Sequence, residues 1–155
     1  MDRIDKKILE ILQNDSQISN QYLAEKISLS PAPCLRRVKL LEDSGYIKKQ
    51  VALISPEKIG LELTVIVLVG LNNHESSTMN AFEEKILLYP EVLQCYLITG
   101  QSADYLLKII VPNLNAYQDF LLGKLTKIKG VSSVHSSFIL RSICDTTALP
   151  LGHLS

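Results

Sequence analysis

The chain has 155 residues, of which 46% are hydrophobic and 6% aromatic, and its 16 basic residues are balanced by 16 acidic ones. This composition is typical of a compact globular protein and excludes a disordered chain. The charged start of the chain offers no apolar signal segment, and the longest apolar stretch, residues 63–71, is about half the length of a membrane-spanning helix. We therefore expect a cytoplasmic protein with three free thiols, no membrane partner and no cofactor or metal.

Two short helices are predicted in the first 30 residues. Apolar residues recur at helical spacing between Asp2 and Asn14, and Asp2 is suited to the N-cap. After a polar break, Ser19 can cap a second helix in which Leu23, Ala24 and Ile27 share one face. This pattern predicts a pair of small amphipathic helices.

A third helix is predicted to begin at Ser30-Pro31, with the Ser30 hydroxyl as a cap, and to stop at Ser44-Gly45. Its buried face is predicted to contain Cys34, Val38 and Leu41, which repeat at helical spacing. The next stretch, from Tyr46 to Ile54, carries Lys48 and Lys49 and is predicted to be extended, as a wing or linking strand.

The other face of the third helix is cationic. A basic run of this kind alone is more often a solvated helix face, but the three helices, the Ser-Pro start and the basic stretch that follows favour a helix-turn-helix. Such a motif places cations on phosphates and small residues near base edges in the major groove of double-stranded DNA. The predicted DNA-binding residues are Ser30, Pro31, Ala32, Pro33, Arg36, Arg37 and Lys39.

From residue 63 the pattern changes to strand, helix, strand, strand, helix, strand, the βαββαβ order of a ferredoxin-like sheet. The predicted elements are 63–71, 77–89, 92–98, 105–111, 114–128 and 131–139. We therefore predict an α+β protein with a winged helix-turn-helix domain and linking strand at 1–61. It is followed by a ferredoxin-like domain at 62–141, to which the family resemblance given below assigns effector binding and oligomerisation, and by a C-terminal tail at 142–155.

The first predicted strand is apolar on both faces. Val65, Val67 and Val69 alternate with Thr64, Ile66 and Leu68, yet two helices can cover only one face of the sheet. An uncovered apolar face predicts burial against a second subunit, so we expect at least a homodimer.

Several segments closely match the Lrp/AsnC family, named after the leucine-responsive regulatory protein and the asparagine regulator. They are IDKKIL at 4–9, LSPAPCLRRV at 29–38, GYI at 45–47, PEVL at 90–93, TG at 99–100 and DYLLK at 104–108, with three residues between the glycine and the aspartate where the family more often has two. The chain resembles this family over almost its whole length. The resemblance implies a nucleoid-associated transcription regulator, whose dimers assemble into tetramers or octamers and whose effector is an amino acid.

The resemblance also places the effector between subunits, near the loop that joins the second and third strands of the sheet. Loop amides and hydroxyls would bind the effector carboxylate, and Asp104 with nearby carbonyls would bind its ammonium group. The residues assigned to this site are Thr99, Gly100, Gln101, Ser102, Asp104 and, on the last strand, Ser136. An ordinary hairpin turn, with Asp104 as its cap, is the alternative for this loop.

Two other functions remain open at this point. Siroheme decarboxylases resemble this two-domain architecture, and the chain would then be an enzyme; the basic third helix argues against that. An architectural protein that binds DNA without an effector is the second alternative. The three histidines have no partners at ligand spacing, and no catalytic motif is present.

Overall fold

The computed structural model describes residues 1–100 and 102–154, which form two compact units. The first contains Met1–Leu53 together with the chain from Ile143 onward, and the second contains Ile54–Ser142. The predicted boundary lies after residue 61, with the tail as a separate part, whereas the described tail clusters with the first unit. In the described part of the chain, no helix is both long and apolar enough to cross a membrane.

The first unit has three helices: α1 (Arg3–Leu12), α2 (Asn20–Lys26) and α3 (Pro31–Asp43). The Asp2 carboxylate caps α1 by accepting from the amides of Ile4 and Asp5, and the Asp5 carboxylate accepts from the Asp2 amide in return. Ser19 caps α2 by accepting from the Tyr22 amide. Both predicted caps are confirmed.

The core of the first unit is small and aliphatic. Its buried residues are Ile8, Leu23, Ala24, Ile27, Cys34 and Leu41. Val38 is half-buried against them, so the predicted inner face of α3 is confirmed. Burial also raises the pKa of the Cys34 thiol, which therefore stays protonated at neutral pH.

The predicted extended strand at Tyr46–Ile54 is wrong for the isolated chain. Between α3 and residue 63 the described residues form no strand, and only a short 3-10 helix, Glu57–Ile59, interrupts the irregular backbone. A strand needs a neighbour with which to pair its backbone groups, and none of the strands in residues 1–100 and 102–154 pairs with this segment. Gly60 ends the 3-10 helix in the left-handed conformation, with φ of 78°.

The tail folds onto α1 within the first unit. The Gln13 side chain donates to the Leu149 carbonyl at 3.0 Å and accepts from the Leu149 amide at 2.8 Å. Further along, the Lys6 ammonium donates to the Leu154 carbonyl at 2.8 Å. Leu149 and Leu151 also line a cleft of about 520 Å³ beside α1 and the start of the irregular segment.

The second unit is an antiparallel four-stranded sheet with two helices. Its elements are β1 (Leu63–Leu71), α4 (Ser76–Ile86), β2 (Val92–Leu97), β3 (Tyr105–Val111), α5 (Leu114–Gly123) and β4 (Val131–Phe138). The strand order is β2-β3-β1-β4, and the predicted α+β class with a ferredoxin-like sheet is confirmed. Both helices end before their predicted limits: α4 stops ahead of Pro90, and α5 gives way to a 3-10 turn at Leu125–Lys127.

The helices cover one face of the sheet. Val65, Val67 and Val69 of β1 are fully buried there, with Leu107 and Ile109 of β3 beside them. On the other face Ile66, Leu68 and Leu106 are only half-buried. Among the described residues of this unit no helix lies over them, as the two-faced pattern of β1 predicted.

Candidate DNA interface and effector loop

The turn that joins α2 to α3 fixes where the third helix begins. Ser28 adopts φ of 58°, and the Leu29 amide donates to the Ala24 carbonyl at 2.9 Å. The Asn20 side chain donates to the carbonyl of Pro31 at 2.8 Å and so ties the start of α2 to the start of α3. Ser30 occupies the N-cap position as predicted, but its hydroxyl makes no capping hydrogen bond, contrary to the sequence-based expectation.

The exposed face of α3 can be read from the helical rotation of about 100° per residue. Cys34 and Leu41 point into the core, so the opposite side of the helix carries Ala32, Arg36 and Lys39. All three are exposed. The N-terminal end of α3 therefore presents a small residue beside two cations, an arrangement that suits approach to a polyanionic groove.

Arg37 lies on the flank of α3 rather than on this face. Its Nη1 atom donates to Asp2 Oδ2 and to Asp5 Oδ1, both at 2.7 Å, and its side chain is 33% exposed. The Asp5 amide, and after it the Arg37 guanidinium, lower the pKa of the Asp2 carboxyl. Arg37 was predicted to contact DNA together with Arg36; it forms an ion pair with the start of α1, and its contact with DNA stays a prediction.

The loop between β2 and β3 is organised around Asp104. The Asp104 amide donates to the Val69 carbonyl at 2.9 Å, and its carbonyl accepts from the Ile98 amide at 2.8 Å. Its carboxylate accepts from the Leu71 amide at 2.7 Å, and the other oxygen lies 2.6 Å from Nε2 of His74. These side-chain contacts tie Asp104 to the end of β1 and to His74, and they occupy lone pairs of the carboxylate that a ligand could otherwise use.

The rest of the loop is open to solvent. Thr99, Gly100 and Ser102 are exposed, and Gly100 has φ of 86°, a conformation that favours glycine. Gln101, which the sequence analysis also assigned to the effector site, lies outside the described residues. The loop therefore offers exposed backbone amides and the exposed Ser102 hydroxyl to a ligand.

Ser136 does not lie beside this loop. It pairs with Val67 and so points to the helix-covered side of the sheet, where its hydroxyl is hydrogen-bonded to the Tyr117 hydroxyl of α5. Two serines that the sequence analysis did not select lie nearer. Ser132 donates to the Gly70 carbonyl at 3.0 Å, and a Cβ added to Gly70 would lie 2.5 Å from the Ser133 hydroxyl and 3.6 Å from the Ser102 carbonyl oxygen.

Two family matches account for most of the chain. Residues 1–48 match the family described as winged helix-turn-helix DNA-binding, and residues 64–149 match the Lrp/AsnC ligand binding domain. The chain belongs to the Lrp/AsnC family of DNA-binding transcription regulators. The resemblance that the sequence motifs indicated is thereby confirmed.

Relatives of this Lrp/AsnC regulator match it from end to end. The Bkd operon transcriptional regulator of Pseudomonas aeruginosa is 41% identical over 151 residues, covering 97% of this chain and 98% of its own. The DNA-binding transcriptional activator DecR of Escherichia coli is 40% identical over 151 residues, covering 97% and 99%. A transcriptional regulator of Neisseria meningitidis, solved in complex with L-Met, is 40% identical with a TM-score of 0.96 and covers 100% and 99%.

These relatives are regulators by name, in agreement with the predicted function and against the decarboxylase alternative. In this Lrp/AsnC regulator, His74 contacts Asp104 from 30 residues away in sequence, a contact that the sequence did not predict. The positions of Ser132 and Ser133 near the loop were likewise not predicted. Only the strand pairing brings these residues to the loop, so no spacing in the sequence could have revealed them.

Proposed function

We propose that this Lrp/AsnC regulator binds operator DNA through α3 and responds to an amino acid bound at the loop between β2 and β3. In this mechanism the effector changes the assembly of the protein or the spacing of its paired recognition helices. The observation that carries the effector half of the proposal is the L-Met complex of a relative that is 40% identical over the whole chain.

The exposed face of α3 supports the DNA half. Arg36 and Lys39 would contact phosphates or a guanine edge, while Ser30 and the small residues Ala32 and Pro33 allow the N-terminus of the helix to come close to the bases. Pro31 leaves no unsatisfied amide at the first helical position. Arg37 adds positive charge nearby, but its Nη1 is already occupied by two carboxylates.

An amino-acid effector needs donors for its carboxylate and acceptors for its ammonium group. The exposed amides of the loop and the hydroxyls of Ser102 and Ser133 are suitable donors, and the Ser102 carbonyl and the partly exposed Asp104 carboxylate are suitable acceptors. We propose Thr99, Gly100, Gln101, Ser102 and Asp104 as the effector loop, with Ser133 beside it. Ser136 would contribute only if its hydrogen bond to Tyr117 is released.

Assembly is the third part of the proposal. The sheet face that carries Ile66, Leu68 and Leu106 would be buried against the same face of a second copy, which would give the dimer two recognition helices for adjacent major grooves. Dimers would then associate into tetramers or octamers, as the family resemblance implies.

The DNA half is tested by measuring affinity for operator fragments as salt is varied. Arg36→Ala is expected to weaken binding about tenfold, and Lys39→Ala to reduce the slope of affinity against salt by about one, because one phosphate is no longer neutralised. Lys129→Ala, which removes an exposed cation from the second unit, serves as the charge-matched control. Wild-type affinity and salt slope in both α3 variants would remove α3 from the interface.

The effector half is tested by thermal melting of the full chain with each of the twenty amino acids at millimolar concentration. A ligand that binds only the folded protein raises the Tm, and we expect the active one also to shift the sedimentation profile or the DNA affinity. The double variant Ser102→Ala, Ser133→Ala should lose the response to the amino acid. Ser77→Ala, a control at an exposed serine, should retain it. Ser136→Ala measures whether Ser136, which the sequence assigned to the site, contributes to effector binding. No response to any amino acid would support the effector-independent architectural protein instead.

A further inference from the structure

Leu35 is an exposed apolar residue at the edge of the cationic face of α3, about 100° from Arg36 around the helix. It lies one turn after Ala32 and one turn before Lys39, and it precedes Arg36 directly. Its side chain is 58% exposed. It belongs neither to the buried core of the first unit nor to the apolar residues packed against that core.

The position of Leu35 along the helix distinguishes it from the other exposed leucine of α3. Leu35 is the fifth residue of the helix, in the N-terminal half that contacts base edges in a helix-turn-helix complex. Leu40, which is 63% exposed, lies in the second half of α3. The two leucines are therefore similar in chemistry and exposure but differ in their expected access to the bases.

We propose that Leu35 recognises thymine in the operator through the C5-methyl group, with the Ala32 methyl beside it. The thymine methyl is the apolar group among the features that the four bases present in the major groove. A leucine pressed on an adenine amino group or a guanine carbonyl would leave a polar atom without its water partner, which costs free energy. Leu35 would thus select for thymine and against the other bases, while Arg36 and Lys39 supply charge attraction.

The test compares thymine with uracil, which differs only by lacking the C5-methyl group. Operators are first selected from a random duplex pool with the full-length protein, and each thymine of the selected half-site is then replaced singly by deoxyuridine. At the position under Leu35 the wild-type Kd should rise about fourfold, the change expected when one methyl group is no longer buried. Equal affinity for every uracil-substituted operator would overturn the inference without any variant being made.

Two variants connect this effect to the residue. Leu35→Ala should bind the thymine and uracil operators with equal affinity, whereas Leu40→Ala should keep the wild-type ratio. Both leucines are exposed, so neither change opens a cavity, and thermal melting verifies that each variant folds. If Leu35→Ala retains the fourfold ratio, the thymine is read by another residue and the assignment to Leu35 is wrong.

The inference rests on the proposed role of α3 and is independent of the effector. Failure of the two proposals can be told apart, because the Arg36→Ala and Lys39→Ala measurements test whether α3 lies on DNA at all. If those variants weaken binding while uracil substitution has no effect, α3 is the reading helix but Leu35 is not a thymine contact.

Discussion

The guanidinium of Arg37 contacts two carboxylates at the start of α1, whereas Arg36, its neighbour in sequence, is exposed on another side of α3. A rotation of about 100° between adjacent residues accounts for this difference. Because Cys34 and Leu41 had already fixed the buried face, the flank position of Arg37 was predictable from helical phase. Its two acidic partners were not, because they lie more than 30 residues away in sequence.

The pKa of Asp2, lowered first by the Asp5 amide and then by the Arg37 guanidinium, predicts a pH-dependent contribution to stability. A carboxyl whose pKa is lowered on folding stabilises the fold above its unfolded pKa and loses that contribution as the pH falls through the folded value. For Asp2 this stabilisation should therefore be lost at pH values below 3.8, the ordinary pKa of the group. Urea unfolding of wild type and Asp2→Asn between about pH 2.5 and about pH 6 measures the contribution of the Asp2 charge to the free energy of unfolding. Asn is chosen because its side chain can still cap the helix but carries no charge.

The Asp2→Asn variant should be less stable than wild type at the upper end of this range, and the two should converge at the lower end. A double-mutant cycle with Arg37→Gln separates the ion pair from the helix cap. A constant difference at every pH would contradict the lowered pKa.

In the loop between β2 and β3, the residues that form the turn were predicted better than their partners. Asp104 and Gly100 occupy the turn that the motif TGQSAD indicated, and Gly100 adopts a positive φ of 86°. Ser136 was placed in the site from family resemblance, yet its register opposite Val67 sends it to the helix-covered side of the sheet. Ser133 lies three residues nearer to the end of the sheet where the loop is, and only the observed register reveals this.

The Asp104 carboxylate also supports the fold, because it is the acceptor for the Leu71 amide. Asp104→Ala leaves that partly buried amide without its partner and should lower the free energy of unfolding by about 1–3 kcal/mol, measured by urea denaturation. Asp104→Asn keeps a carbonyl acceptor and should have a smaller effect. Equal stability of the Ala variant and wild type would show that the amide finds another acceptor.

At the scale of elements, the strands and helices of the second unit were predicted closely because their hydrophobic periodicity is strong. The bounds of β1 and β3 agree with prediction to the residue. The segment from Tyr46 to Ile54 is also rich in apolar residues, but no strand within residues 1–100 and 102–154 pairs with it. Periodicity reports which side of a segment is apolar, and it contains no information on whether a pairing partner is present.

The tail is an element whose position the sequence did not indicate, since it lacks periodicity. Gln13→Ala removes both hydrogen bonds to Leu149 and should lower the free energy of unfolding of the first unit by about 1–2 kcal/mol. Gln17→Ala, at an exposed position shortly after α1, is the matched control. Urea denaturation gives the difference, and identical midpoints for the two variants would mean that the tail does not stabilise α1.

At the scale of the whole molecule, the half-buried apolar face of the sheet governs the proposed assembly. Leu106→Glu would place a charge on that face, where burial against a second copy would cost the charge its hydration. We expect analytical ultracentrifugation to show dissociation to species of 17.3 kDa. Leu87→Glu, at a residue that is 82% exposed after α4, should leave the wild-type assembly intact.

If Leu106→Glu assembles like wild type, subunits associate through another surface. Leu106→Glu on the sheet tests assembly, and Arg36→Ala and Lys39→Ala on α3 test DNA binding, so the two properties can be distinguished. A dissociated protein with an intact α3 should still bind DNA at low salt, but with the weaker affinity of a single recognition helix.

The first unit is made from two stretches of chain that leave the ribosome at different times, because residues 54–142 are synthesised between them. The three helices can form early, yet the hydrogen bonds from Gln13 and Lys6 to the tail must wait until translation reaches residues 149–154. A message cut short within the second unit would therefore yield three helices whose α1 lacks its covering segment. Completion of this unit requires that the whole second unit has already been made.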